Sequence, residues 1–338
     1  MKKIILSVLG GSLLLAAQTN AQTLINGAGS TFDYPAFTKW FEAYGKDHSD
    51  VRFNYASIGS GGGQKQLLDQ TVAFGASDAP MTDASMANSK NGKILHFPIV
   101  AGGVALMYNL PGGPKLKLDG DTIAGIYLGN ITKWNDPKIA ALNPGVDLPD
   151  LQIVPVHRTE GSGTTFIFTD FLSVVNPAWA DSVGKSVSVK WPSGIGLGAK
   201  GSEGVAGQVK QTSGAIGYGE LAYADQNKIP YADVKNSSGN FISPAPESVS
   251  AALVTANIPD DFRFSMVNPP GAQAYPIAGA SWGLVYQTQK DPVIGKKLVD
   301  FLKWAVTDGQ KISVTLDYAP LPENVQQREL TLLGTIKY

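Results

Sequence analysis

Three glycine-rich loops carry hydroxyl side chains, and each is set between a β-like segment and a helix-like one. They constrain this chain more than any other feature. The loops read Gly27-Ala28-Gly29-Ser30-Thr31-Phe32, Gly59-Ser60-Gly61-Gly62-Gly63 and Gly161-Ser162-Gly163-Thr164-Thr165. The helix-like stretches behind them cover 35–44, 64–70 and 166–175. A helix start presents unpaired N–H groups and the positive end of its dipole, so it favours an anion. Glycine lets backbone approach that anion closely, and Ser and Thr add hydroxyl donors. One such loop is an ordinary turn. Three of one chemical character predict a tetrahedral oxyanion held by several helix ends.

The rest of the chain alternates in the same way. β-like patterns occur at 51–57, 72–76, 153–156 and 281–286, and helical ones at 122–127, 137–142 and 291–306. The last has Pro292 in its first turn, where proline is well tolerated. The apolar run 94–110 contains Gly102-Gly103 and reads as strand, break, strand. This alternation predicts α/β domains with mostly parallel sheets. Asp78 falls just after the 72–76 strand, and Arg158 just after the 153–156 strand. In open α/β sheets ligands bind beyond the carboxyl ends of the strands, where both residues and all three loops would gather. Pro- and Gly-rich stretches at 110–114 and 269–274 are candidate crossings between domains.

The N-terminus orders a basic pair (Lys2, Lys3), an apolar stretch at 4–17 and the small-residue site Thr19-Asn20-Ala21. That is the pattern of a secretory signal peptide over residues 1–21, cleaved after Ala21. The apolar stretch falls short of the roughly 20 residues a membrane span needs, and no cysteine follows it to carry a lipid. The expected product is periplasmic, freely diffusing and not a lipoprotein. Its 317 residues are enough for two domains.

The 338-residue sequence has no cysteine, which removes disulfides, thiol catalysis and cysteine metal sites. Cleavage would remove two lysines and take the formal charge from −1 to −3. No basic block stands out, so nucleic acid and anionic membrane surfaces are not expected partners. Any anion would be held by local geometry instead of a bulk positive field.

Other motifs argue mainly against alternatives. Gly196-Leu197-Gly198-Ala199-Lys200-Gly201 matches G-x-G-x-x-G, but what precedes it is a poor strand, so a mobile glycine loop near a cleft is the better reading. Neither Ser60 nor Ser162 sits in G-x-S-x-G. His48, His96 and His157 have no metal spacing, and Trp134 and Trp191 are expected to pack in the core. No catalytic residue, metal or cofactor is expected.

Asp78 carries the sharpest chemical logic. A carboxylate in an anion site is repulsive unless the ligand brings a proton to donate. Hydrogen phosphate does, and sulfate at neutral pH does not, so Asp78 would select between them. As an isolated residue it would read as a turn or helix-cap Asp in Ser77-Asp78-Ala79-Pro80. Arg158 offers a two-pronged fork to two oxygens, and Glu160 either braces that guanidinium or is a solvated loop charge.

At these residues the chain resembles the periplasmic phosphate-binding proteins of high-affinity (Pst-type) phosphate ABC transporters. The resemblance rests on the first loop, Ile58-Gly59-Ser60-Gly61-Gly62, Phe74-Gly75-Ala76-Ser77-Asp78-Ala79-Pro80 and Arg158-Thr159-Glu160-Gly161-Ser162-Gly163-Thr164-Thr165. It also rests on Ile126-Tyr127-Leu128-Gly129-Asn130-Ile131-Thr132-Lys133-Trp134 and Gly214-Ala215-Ile216-Gly217-Tyr218, and it covers nearly all of the mature chain. It implies a periplasmic binding protein fold of type II-like character, with two α/β domains joined by two hinge crossovers and the ligand cleft between them. The crossovers would lie near Asn109 and Tyr275-Pro276, giving a discontinuous domain of 22–109 plus 276–338 and a second of 110–275. The implied phosphate ligands are Thr31, the Phe32 N–H, Ser60, Asp78, Arg158, Ser162, Gly163 and Thr164, with Glu160 in support. Glu160 stands where the family usually has aspartate, and its extra methylene would shift Arg158. Gly61 stands where a second serine is common, which would loosen the loop.

The expected function is therefore a non-enzymatic, monomeric carrier that binds inorganic phosphate and hands it to membrane permease subunits. Two rivals remain at this stage. A secreted phosphatase on the same site would need a nucleophile with its base, or a metal. A binding protein for sulfate, molybdate or a phosphate ester would keep the fold and change the ligand.

Overall fold

The computed structural model describes residues 22–192, 194 and 196–338; the signal peptide expected at 1–21 lies outside them. Three strand–loop–helix units come first. They are β1 (Thr23–Gly29) with α1 (Tyr34–Asp47), β2 (Val51–Ser57) with α2 (Ser60–Leu68), and β3 (Phe74–Ser77) with the short α3 (Asp83–Met86). The long strand β4 (Ile94–Tyr108) leads to β5 (Lys117–Leu118), α4 (Gly120–Tyr127), α5 (Pro137–Leu142), β6 (Val154–Arg158), α6 (Gly163–Val175) and α7 (Pro177–Ser182). There follow β7 (Leu197–Ala199), α8 (Gly201–Gln211), β8 (Ala215–Glu220), α9 (Leu221–Asn227), β9 (Asp233–Lys235), β10 (Phe241–Ile242) and α10 (Pro246–Val254). The last elements are β11 (Ala278–Tyr286), α11 (Pro292–Ala305), α12 (Gly309–Ser313) and α13 (Glu323–Leu333). No described helix is long and apolar enough to cross a membrane.

Eight strands form one sheet in the order β2-β1-β3-β11-β4-β8-β6-β7, and β10-β9-β5 form a second. The flanks of the large sheet are parallel, through β1 with β2 and β3 and through β6 with β7 and β8. Its centre is antiparallel, because β11 returns between β3 and β4, and β4 in turn pairs antiparallel with β8. The α/β class holds, but the sheet is mixed where mostly parallel pairing was expected.

β4 is also unbroken. All 15 of its residues are buried, as expected of a strand covered on both faces. The Gly102-Gly103 pair does not interrupt it. A Cβ on Gly102 would stand 2.8 Å from the Phe32 ring, and one on Gly103 would stand 3.0 Å from Pro244 and 3.3 Å from the Tyr275 ring. These glycines make room for rings. They also mark the point where β4 changes partner: residues up to Gly103 pair with β11, and Val104 onward with β8.

The helices bury one face each. α11 starts on Asp291, whose side chain accepts from the N–H groups of Val293 (2.8 Å) and Ile294 (3.0 Å), a cap worth about 1 kcal/mol. Its buried stripe is Leu298, Val299, Phe301, Leu302 and Ala305. Each large side chain there contributes about 1.5–3 kcal/mol by leaving water. α1 buries Ala36, Phe37, Trp40 and Tyr44 at helical spacing, and Trp40 Nε1 donates to the Gly309 carbonyl of α12 at 2.8 Å.

Candidate functional site

The site is assembled where β1, β2, β3, β6 and β7 end. Gly29 and Gly59 turn the chain there with φ of +149° and +86°. A side chain at Gly29 would meet the Ala76 carbonyl at 2.0 Å, and one at Gly59 the Gly161 carbonyl at 2.8 Å. Both positions need glycine's conformation and its lack of a Cβ.

Two helix starts then face each other. Gly61, in the first turn of α2, donates its free N–H to the Gly161 carbonyl at 2.9 Å. Gly163, the first residue of α6, donates to Ser60 Oγ at 3.0 Å. Ser60 Oγ also accepts from the Asp78 N–H at 3.1 Å, so its own proton remains available to an outside acceptor. Gly61 lies against Gly161 of the facing loop. A Cβ there would come within 3.2 Å of Gly161 Cα, so its bareness lets the two loops touch.

Most of the expected residues fall into two hydrogen-bonded groups. One contains Ser60, Asp78, Gly163 and Thr164, whose hydroxyl approaches Asp78 Oδ2 at 3.4 Å. The other contains Thr31, Arg158 and Glu160. Glu160 Oε1 accepts from Arg158 Nε at 2.8 Å, from Arg158 Nη2 and from the Gly201 N–H at 3.1 Å. A single oxygen thus braces one edge of the guanidinium, and Nη1 donates to Ser202 Oγ at 3.3 Å. Glu160 Oε2 is buried and has no hydrogen-bond partner among the described residues. Burial pushes the Glu160 carboxyl up, but Arg158 outweighs it and holds the group below the usual carboxylate range.

Ser162 caps α6 by accepting from the Thr165 N–H at 3.1 Å. The Thr165 hydroxyl meets Tyr218 Oη at 2.7 Å, and the Arg158 N–H donates to the same oxygen at 3.2 Å. Phe32 N–H donates to Ser30 Oγ at 2.9 Å, while its ring lies in the core. Thr31, Phe32, Ser60, Asp78, Arg158, Ser162 and Thr164 are all buried.

Asp78 sits in a dense set of donors. Its Oδ1 accepts from Ser30 Oγ and lies 2.8 Å from Ser281 Oγ. Burial pushes its pKa up to about 6, against hydrogen bonds from Ser30 and Ser281 and the charge of Arg158. Burial thus opposes its charge while the surrounding donors favour it, a state suited to accepting a proton-bearing ligand oxygen.

Four buried residues beside the site were not foreseen: Ser30, Asp33, Ser202 and Ser281. Ser202 is the second residue of α8, and its Oγ meets Thr31 Oγ1 at 2.7 Å. Its signal was present in the glycine-rich 196–201 stretch. That stretch, read as a mobile loop, is β7 paired with β6 and followed directly by α8, a fourth helix start at the site. Ser30 and Asp33 lay within or beside the first loop, whereas Ser281 lies in the distant strand β11 with no local signal.

The remaining candidates have structural surroundings. His96 is buried, its Nε2 accepts from the Met81 N–H at 3.0 Å, and burial pushes its pKa down to about 4. His48 stacks on Tyr44 with centroids 3.8 Å apart. Trp134 is fully buried and donates to the Gly214 carbonyl at 3.0 Å. Trp191 is half-buried and stacks on His157 at 4.8 Å. Among the described residues, no group of three or more His, Asp or Glu side chains is placed to hold a metal ion.

The PBP superfamily domain matches residues 16–309 of this chain. The Phosphate-binding protein PstS of Pasteurella multocida (strain Pm70) is 44% identical over 317 residues, spanning 93% of this chain and 90% of its own. The protein of the same name from Haemophilus influenzae is 42% identical over 329 residues, spanning 96% of each. Among solved structures, the high-affinity periplasmic phosphate-binding protein PfluDING, determined with phosphate bound, has a TM-score of 0.75 at 22% identity. It covers 91% of this chain and 93% of its own. A phosphate-binding protein from Stenotrophomonas maltophilia has a TM-score of 0.69 at 21% identity, covering 92% and 94%. At such identities the structural likeness concerns the fold.

Proposed function

The chain belongs to the PstS phosphate-binding proteins of the PBP superfamily, and from that premise we propose that it binds inorganic phosphate between two domains and delivers it to an ABC transporter permease. The domains are 22–109 with 276–338, and 110–275. The protein carries out no covalent chemistry, and a signal peptide cleaved after Ala21 sends it to the periplasm as a free monomer.

The observation that carries this reading is the pairing of Asp78 with its surroundings. A buried carboxylate beside Arg158 lies among the starts of α2, α6 and α8, with Oδ1 held by Ser30 and Ser281. Oδ2 is left as the acceptor for a ligand proton. Hydrogen phosphate would donate to it and take donors from Thr31, the Phe32 N–H, Ser60, Arg158, Ser162, Gly163 and Thr164. Several of these donors engage protein partners here, as in Thr31 with Ser202 and Gly163 with Ser60. An anion between the two sides exchanges those bonds for bonds to itself, and ligand contacts to both sides would favour closure.

The test is calorimetric titration of the mature protein, stripped of anion, with phosphate and separately with sulfate. Tight one-to-one phosphate binding without a sulfate response is expected. A folded, anion-free protein silent toward phosphate would overturn the reading.

A further inference from the structure

A second buried carboxyl group shares a serine with Asp78. Asp33 is fully buried at the start of α1, and its side chain makes no cap hydrogen bond to that helix. Its Oδ2 lies 2.7 Å from Ser281 Oγ, and the same Ser281 oxygen lies 2.8 Å from Asp78 Oδ1.

Counting protons decides what this chain of atoms is. A serine hydroxyl has one hydrogen and can donate to one carboxylate only. Were both acids ionised, one of the two contacts would hold two electron-rich oxygens against each other with no proton between them. One acid must therefore carry a proton and donate it to Ser281. Asp78 has the better claim to the charge, since Ser30 also donates to it, Thr164 approaches it and Arg158 lies nearby. Besides Ser281, Asp33 has its own backbone N–H and Tyr55 at 3.2 Å, a phenol with the closer acceptor in the Ser30 carbonyl at 2.8 Å.

We infer that Asp33 is a protonated, specificity-determining positioning residue, and that the relay Asp33–Ser281–Asp78 keeps Asp78 ionised with Oδ2 turned to the ligand. The proton runs from Asp33 Oδ2 to Ser281 Oγ, and the Ser281 proton to Asp78 Oδ1. The groups facing Asp33 agree with this assignment. They are Asp78 beyond β3, Tyr55 of β2, Tyr223 of α9 and Tyr318 after α12, while the positive charge of Arg158 acts on Asp78. Burial, and then the Asp78 charge, hold the Asp33 carboxyl well above the usual carboxylate range. The inference rests on the phosphate reading for its effect on selectivity, but not for the proton on Asp33.

Two measurements separate these parts. In the anion-free protein at pH 7, carboxyl-labelled aspartate NMR should show a protonated buried side chain that Asp33→Asn removes. A fully ionised set of aspartates would overturn the relay whatever the ligand. Titration with phosphate and sulfate then tests its use. Ser281→Ala and Asp33→Ala should each reduce the preference for phosphate over sulfate by about tenfold, the order of one lost hydrogen bond to a charged group. Asp33→Asn, whose amide can donate as the acid does, should recover most of the preference that Asp33→Ala loses. Asn failing as Ala fails, or Ser281→Ala leaving the preference intact, would overturn the role in selectivity. A wild-type protein silent toward phosphate would defeat the phosphate reading while leaving the NMR result standing.

Discussion

Gly163 and Ser60 meet at the limit of close packing: the Gly163 N–H donates to Ser60 Oγ at 3.0 Å, and a Cβ on Gly163 would stand 2.5 Å from that oxygen. The same Cβ would lie 2.6 Å from the Asp78 backbone nitrogen. Gly163→Ala should therefore push α6 away from α2. Overpacking of this kind costs about 1–3 kcal/mol, so phosphate affinity should fall by about ten- to a hundredfold. Titration calorimetry checks this, and an alanine variant that binds as tightly as wild type would show that the two helix starts need not touch.

Asp78→Asn removes the charge that repels a fully deprotonated anion. Sulfate should then bind measurably while phosphate weakens, narrowing the preference by about tenfold or more. Competition titrations at pH 7 read this directly. Unchanged selectivity would sink the role of Asp78 as proton acceptor.

Arg158→Lys keeps the charge and loses the fork. Lysine cannot present the edge that Glu160 Oε1 braces through Nε and Nη2 while offering Nη1 elsewhere. Phosphate affinity should drop by about a hundredfold, the scale of a lost two-pronged charge-assisted contact with a buried partner left behind. Equal affinity would mean that charge alone suffices.

Glu329 on α13 is fully buried, and among the described residues neither carboxylate oxygen has a hydrogen-bond partner. Burial raises its pKa well above the usual value. The folded state therefore holds a proton that the unfolded state releases, and stability falls as pH rises from the ordinary glutamate range toward the raised value. Glu329→Met removes this liability. The variant should gain about 1–3 kcal/mol over wild type at pH 8 and less at pH 4. Calorimetric Tm values at the two pH values test the sign, and a gap that shrinks with rising pH would contradict it.

Much of the site is readable in the chain because its chemistry is local. A strand, a glycine-hydroxyl turn and a helix follow one another in sequence, so Ser60, Asp78, Arg158 and Gly163 stand out. Helix starts were harder to place. α2 begins at Ser60 and not near Gln64, and it carries Gly61, Gly62 and Gly63 inside it, against ordinary helix propensity. The reason is tertiary: a Cβ on Gly63 would come 2.4 Å from Gly29 Cα, so only bare backbone lets this helix lie directly on the sheet. Ser281 was invisible for a related reason. It is an unremarked hydroxyl in a buried strand, and only the antiparallel return of β11 places it between two aspartates.

That return also sets an order of assembly. β3 and β4 are neighbours in the chain but not in the sheet, because the gap between them belongs to β11, which pairs Trp282 with Ser77 on one side and Leu284 with His96 on the other. A chain emerging N-terminus first must hold two strand edges open until β11 arrives, near its end. β3 and β4 are thus sealed only when β11, the last strand in the chain, forms. Such late closure of the sheet is in keeping with the proposed export of the chain before it folds.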